Sequence, residues 1–315
     1  MSPSVEDRRI RALRPPKPWV DPWAAHGALA EEERRPDGTV ERALTVFLAG
    51  AECPFTCSFC DLWRWTIAGP TPPGALVRQL ERVLHAQAGP TPDRLKLYNA
   101  SNFFDRRAVP PEDLPALAAL AAPFAGVTVE SHARTVGAAT LAFAERLAGR
   151  LEVAVGLETV HPAAAARLNK RLDLARFDAA ARLLADGGVD LRVFVLLGAP
   201  NVDPEESVAW TVRTVEHAVA RGAAVVAIIP VRGGNGEMER LRALGAFTPP
   251  TLRQLEAALD GCARLTGAVV TADLWDAERL PACEACRAAR VERLRRVNAR
   301  GFGEPPVACE ACGDG

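Results

Sequence analysis

The sequence predicts an α/β protein built on a parallel sheet with covering helices. Two observations predict it. Short apolar, partly β-branched runs alternate with amphipathic helical stretches, and this alternation repeats six times from about residue 43 to about residue 245. Runs such as 191–197 (LRVFVLL) are apolar on both faces, as in a sheet buried on both sides. Periodicity alone leaves a partly closed barrel and an open doubly wound sheet equally allowed.

The units follow in order. Residues 43–49 (ALTVFLA) read as the first strand. Leu76, Val77, Leu80, Val83 and Leu84 then fall at helical spacing within 74–87. Strands at 95–99, 127–130, 151–156, 189–197 and 223–229 alternate with helices at 114–122, 138–147, 162–168, 174–185 and 204–221. The last helix of the series is weakly marked. Residues 232–236 (RGGNG) read as a flexible loop, 251–265 as a further helix and 268–272 as a short strand. Residues 1–42, with Trp19 and Trp23 among prolines, read as an extended arm on the domain. The expected organisation is an arm (1–42), a core (43–245) and a C-terminal extension (246–315).

Composition narrows the function classes. The chain has 315 residues and a formal net charge of -1, so it is neither strongly basic nor strongly acidic. No apolar run approaches the roughly 20 residues of a membrane helix, and no targeting segment is visible at the N-terminus. A cytoplasmic protein without membrane partners is expected. Eight cysteines in a reducing compartment then call for metal or redox chemistry before disulfides.

Cys53, Cys57 and Cys60 follow the first strand at C-x3-C-x2-C spacing. Three thiolates on one short loop suit a face of an iron–sulfur cluster, which normally takes four. With no fourth cysteine nearby, one iron keeps an open position for a substrate or cofactor. A zinc site is the rival reading, with Asp61 as the nearest further ligand.

This motif, placed after the first strand of a repeated strand–helix chain, resembles the radical S-adenosylmethionine (SAM) superfamily. The resemblance covers about residues 43–245 and implies a partial (β/α)6 barrel. It implies a [4Fe–4S] cluster on Cys53, Cys57 and Cys60 and SAM chelated at the open iron. Reductive cleavage to a 5′-deoxyadenosyl radical follows, with an electron donor such as a flavodoxin or ferredoxin. Phe59 matches the aromatic residue that packs near adenine. The family's Gly-Gly-Glu segment is replaced by Tyr98-Asn99-Ala100-Ser101-Asn102, so Asn99 and Ser101 are the candidate contacts there. Glu130 and Glu158 end the third and fourth strands, where barrel active sites lie. They are candidates for SAM contacts or catalysis, or for ion pairs with Arg134 or Lys170. Leu197 and Gly198 lie where relatives contact adenine. His132 is a further acid–base candidate, and His161 also lies just beyond a strand end. Asn169 and Lys170 read as helix-closing residues.

The run 156–162, with Leu168, Asn169 and Lys170 shortly after, resembles the branch that includes the elongator catalytic subunit, and local phrases at 96–105, 129–131 and 155–159 narrow the likeness. They are closer still to the radical SAM subunit of archaeosine synthase, which implies a transfer-RNA base as substrate. A small metabolite or peptide is the alternative substrate. A non-catalytic zinc protein that binds nucleic acid is the rival from another class.

Cys283, Cys286, Cys309 and Cys312 form a second group, C-x2-C twice with 22 residues between. Two knuckles at this spacing predict a tetrahedral site for Zn2+, with an auxiliary [4Fe–4S] cluster as the alternative. A short tail cannot bury its own core, so the metal supplies its folding energy. Arg287, Arg290, Arg293, Arg295, Arg296 and Arg300 lie between the knuckles at helical spacing. They offer either a phosphate grip for RNA or a plain solvated face. Cys262 is left over and is expected to pack as a small hydrophobe.

Overall fold

The computed structural model describes residues 3–312. Its eight strands are β1 (Gly27–Arg34), β2 (Val40–Phe47), β3 (Arg94–Tyr98), β4 (Gly126–Ser131), β5 (Arg150–Glu158), β6 (Asp190–Leu197), β7 (Ala223–Pro230) and β8 (Val269–Ala272). The helices are α1 (Val5–Ala12), α2 (Ala75–Ala86), α3 (Leu114–Ala121), α4 (Ala138–Ala144) and α5 (Pro162–Arg167). They continue with α6 (Leu174–Asp186), α7 (Ser207–Ala220), α8 (Glu237–Ala243), α9 (Leu252–Gly261) and α10 (Arg287–Arg300).

All eight strands form one sheet in sequential order. β2 to β8 pair in parallel, and β1 is antiparallel to β2. Sequential order settles what periodicity left open. A doubly wound sheet reverses its order at a switch point, whereas a barrel arc does not. The sheet is therefore a partial barrel, its six expected strands extended by β1 at one edge and β8 at the other.

The arm is not extended throughout. Ser4 and Asp7 cap α1 reciprocally, and β1 joins the sheet. β1 escaped the sequence pattern because its residues (GALAEEER) are mostly polar and exposed. The acids have a purpose on the concave face. Lys96 pairs with Glu31 and Glu33, and Arg192 pairs with Glu33 and Glu152 at 2.8 Å each. Arg35 also reaches Glu152, at 2.9 Å. The concave floor is thus charged and paired, not apolar as expected. The convex face carries the main core: Leu44, Val46, Leu95, Leu97, Val129, Val153, Val193 and Val195 are buried.

The gap between β1 and β8 is covered by α10, which packs on both edges. Asn298 satisfies the backbone of the β8 edge, accepting from Ala272 N at 2.9 Å and donating to Ala272 O at 2.8 Å. The tail is the missing wall of the barrel. No helix among the described residues is long and apolar enough to cross a membrane.

Candidate functional site at the C-terminal mouth of the barrel

The loop carrying Cys53, Cys57 and Cys60 leaves the end of β2 and is held by side chains from elsewhere. Asn102 donates to Cys53 Sγ at 3.2 Å and accepts from His132 N at 2.7 Å. Asn169 Nδ2 donates to Thr56 Oγ1 (2.7 Å), Thr56 O (3.0 Å) and Asp7 Oδ1 (3.0 Å). Asn235 donates to Ser58 O at 2.8 Å and Cys60 O at 3.3 Å, and Ser58 N donates to Leu168 O at 2.9 Å. Asn169 therefore does more than end a helix. Its φ of 52° lies in the left-handed region that asparagine tolerates better than most residues. Asn235 shows that the 232–236 loop is a clamp on the cysteine loop. At Gly236 (φ +89°) an added Cβ would stand 1.9 Å from the Leu13 carbonyl oxygen, so α1, the clamp and the cysteine loop close together only around glycine. Burial opposes the Asp7 carboxylate, but its hydrogen bonds from Thr56, Ser4 and Asn169 outweigh that and hold it well below the usual carboxylate range.

Burial pushes the cysteine thiols up, Cys57 to about 12 and Cys60 well above its ordinary value, while Lys170 pulls Cys57 down. Such thiols stay protonated unless a cationic centre draws the proton off. Among the described residues, the set of candidate ligands drawn within 4.8 Å of one another is the C-terminal one.

Beside them, the turn after β3 points three N–H groups at Glu130. Asn99 N donates to Glu130 Oε1 at 2.8 Å, and Ala100 (φ 54°) and Ser101 add theirs. Burial still pushes the Glu130 carboxyl up to about 7. Asn99 is fully buried, yet both polar atoms of its side-chain amide lack a partner, as does Ser101 Oγ. Unpaired buried polar atoms are costly, so two such residues beside the cysteine loop mark a place built for a polar ligand.

The other candidates sort clearly. Glu158 sits at a bulge in β5 with φ 70° and pairs with Lys170. Between the two sequence alternatives for its ion-pair partner, Lys170 is the one found. Lys170 also faces Cys53 and Cys57. An added Cβ on Gly156 would lie 2.0 Å from Glu158 Oε1 and 2.5 Å from Lys170 Nζ, so glycine makes room for the pair. Phe59 packs with Leu196, Ile229 and Met238 in a small apolar cluster at the ends of β6 and β7. His132 is not an available acid or base. Its Nε2 bonds Lys170 O at 3.0 Å, its Nδ1 accepts from Arg134 N at 3.0 Å, and Phe55 stacks on its ring. Burial lowers its pKa to about 3, so it stays neutral. His161 caps α5. Leu197 and Gly198 are also engaged: Leu197 O accepts from Val231 N at 2.9 Å and Gly198 N donates to Ser207 Oγ at 2.9 Å.

No family model matches the sequence, and no curated protein matches it. Solved structures do. A mutant spore photoproduct lyase with its dinucleoside spore photoproduct aligns at a TM-score of 0.53, with 14% identity over 70% of this chain and 74% of that chain. The chain has the radical SAM fold. The archaeal Methanocaldococcus infernus Elp3 aligns at 0.49, with 13% identity over 62% of this chain and 50% of that chain. The present chain thus spans about half of that protein's length. Coproporphyrinogen III oxidase from Escherichia coli, a radical SAM enzyme, aligns at 0.46 with 12% identity over 80% and 53%.

Outside the radical SAM core, the second cysteine group is assembled. The ligand atoms of Cys283, Cys286, Cys309 and Cys312 all lie within 4.8 Å of one another, with Cys286 and Cys312 Sγ 3.9 Å apart. Four sulfurs about 2.3 Å from one tetrahedral zinc stand about 3.8 Å apart. Ligands of a cubane cluster sit on four separate irons and are spread wider. Arg290 serves this site: it donates to Cys286 Sγ at 3.1 Å and Cys312 Sγ at 3.8 Å and pairs with Glu256 of α9. Arg293, also buried, pairs with Glu256 and Asp260. The six arginines of α10 therefore do not share one exposed face. Two of its arginines face inward, and Arg287, Arg295 and Arg296 pair with Glu284, Glu278 and Glu304. Cys262 packs in the core as expected.

Proposed function

We propose that this chain is a radical SAM enzyme whose Cys53, Cys57 and Cys60 hold a [4Fe–4S] cluster. The observation that carries the reading is the placing of those three half-buried cysteines beside the unpartnered Asn99 amide and Ser101 hydroxyl. The bound cluster and SAM supply the chemistry, a one-electron cleavage that yields a 5′-deoxyadenosyl radical. The chain's own residues do the rest. Asn99 and Ser101 bind the polar methionine end. Glu130, poised near neutrality, accepts or releases a proton there. Lys170 places a positive charge beside Cys53 and Cys57. Phe59 and its apolar neighbours exclude water from the adenine side.

Anaerobic reconstitution with iron, sulfide, SAM and dithionite tests this. The expected product is 5′-deoxyadenosine, absent from the Cys57→Ala variant. Equal yields from both proteins, or none from the native one, would falsify it. The tail site is proposed to hold one structural Zn2+, on its sulfur spacing. A transfer-RNA base as substrate rests on the sequence phrases alone. It is tested by comparing transfer-RNA nucleosides with and without the gene, where an unchanged nucleoside profile counts against it.

A further inference from the structure

The concave face is not uniformly closed. Its lower rows are the paired charges, with Lys96 and Arg192 buried. Its upper rows are reachable: Phe47, Tyr98 and Phe194 are only half-buried, while the convex-facing residues beside them are fully buried. Phe47 and Tyr98 are register partners on β2 and β3. Tyr98 meets Phe194 of β6 edge-on, with ring centroids 6.4 Å apart.

A fourth ring comes across the seam of the barrel. Trp275 follows β8, the edge strand that faces β1 across the gap, and its ring lies edge-on to Phe47 of β2 at 6.4 Å. Its side chain therefore reaches over the seam to the β2 side of the concave face. The backbone that carries it is pinned. Trp275 N donates to Asp273 Oδ1 at 2.9 Å, and Arg232 bonds both Asp273 and the Trp275 carbonyl oxygen. Asp276, next in the chain, holds φ 58°. Trp275 is 64% exposed. A rigid anchor under an uncovered indole is the arrangement of a recognition side chain rather than of core packing. Aromatic residues make up only 6% of this chain, so four rings around one cleft are a concentration.

From this geometry we infer that Phe47, Tyr98, Phe194 and Trp275 form a substrate box for a planar aromatic ring, homocyclic or heterocyclic. Rings prefer edge-to-face and offset contacts, which a planar guest between these four walls makes on several sides at once. The box opens beside Glu130 and Asn99, so the assignment of this guest as the radical's target rests on the proposed SAM chemistry. The binding itself does not.

Equilibrium dialysis of the cluster-reconstituted protein against 2-aminopurine riboside, and separately against L-tryptophan, tests the box. Saturable binding of either is expected, weakened about tenfold or more by Trp275→Ala and largely restored by Trp275→Phe. Binding of the riboside alone points to a nucleobase-type source, and binding of tryptophan alone to an aromatic amino-acid source. Cyclohexylalanine, similar in size but not planar, is the control. Failure of both probes, equal binding by Trp275→Ala, or equal binding of cyclohexylalanine overturns the inference. The two readings fail separately: a protein that forms 5′-deoxyadenosine but binds neither ring refutes only the box. A protein that binds a ring through Trp275 but forms none refutes only the radical chemistry.

Discussion

The two cysteine sites of this molecule are built on opposite plans. Cys283, Cys286, Cys309 and Cys312 are drawn together and buttressed by a guanidinium that bridges two of the sulfurs to α9. Every coordination position of one tetrahedral ion is filled by protein. Cys53, Cys57 and Cys60 supply one ligand fewer. They are held from outside by Asn102, Asn169 and Asn235, and open onto the unpartnered Asn99 and Ser101. A closed site spends its metal on folding, while an open one keeps a position for chemistry. The contrast also explains the tail. α10 walls the gap between β1 and β8 with Val291, Leu294 and Val297 buried in the core, and a metal on the four cysteines would staple that wall in place.

The strongest way to break the comparison is to remove one site at a time. The double variant Cys309→Ala, Cys312→Ala should lose zinc. Structural zinc sites are worth on the order of 10 kcal/mol, so α10 should leave the seam. Limited proteolysis within 281–312 reads this, and an intact tail without metal would contradict it. Cys57→Ala should lose iron yet keep zinc and a native melting temperature.

Next in size is Arg290→Ala. It removes one buried guanidinium from Glu256, which keeps Arg293. Breaking a buried pair this way costs about 3–5 kcal/mol, and loss of a bond to the ligating sulfurs weakens metal binding about 10–100-fold. Urea denaturation and chelator competition measure the two, and unchanged zinc affinity would show that Arg290 serves packing alone.

A smaller effect is expected from Asn169→Ala, which leaves Asp7 and Thr56 short of a buried hydrogen bond. The cost is about 1–3 kcal/mol. Iron should leak faster from the open site while zinc stays, as followed by metal analysis over time. Equal leakage from both sites would dissolve the distinction.

The smallest is a pH effect. Glu130 titrates near 7 in the folded chain against 4.5 ordinarily, so the folded state holds its proton more tightly. Its contribution to stability is therefore present below about pH 4.5 and is lost as pH rises through about 7. Glu130→Gln should flatten the stability profile in that window, and an unaltered slope would place the titration elsewhere.

Much of this was legible in the sequence, and the gaps have physical causes. The parallel strands announced themselves because their convex faces are apolar, Leu95 and Leu97 or Val193 and Val195. β1 did not, because its acids serve partners distant in sequence, Lys96 and Arg192. The capping pair Ser4 and Asp7 was a usable signal for α1 that the prolines after it obscured. The cysteine spacings were clear because ligand geometry constrains them tightly. The side chains that hold the first loop were not, since Asn102 and Asn235 are single polar residues in loops, Asp7 lies on α1, and only the fold brings them together. The arginines of α10 misled for the converse reason: helical spacing shows that residues share a face, but not whether that face is wet.

The central claim is that one chain keeps two metals at two sites for two purposes. Iron, sulfide and zinc counted in one anaerobically reconstituted preparation test it most directly. About four irons, about four sulfides and about one zinc per chain are expected, with zinc alone surviving when Cys53, Cys57 and Cys60 are all replaced by alanine. Iron retained in that triple variant, or a chain with iron and no zinc, would contradict the account.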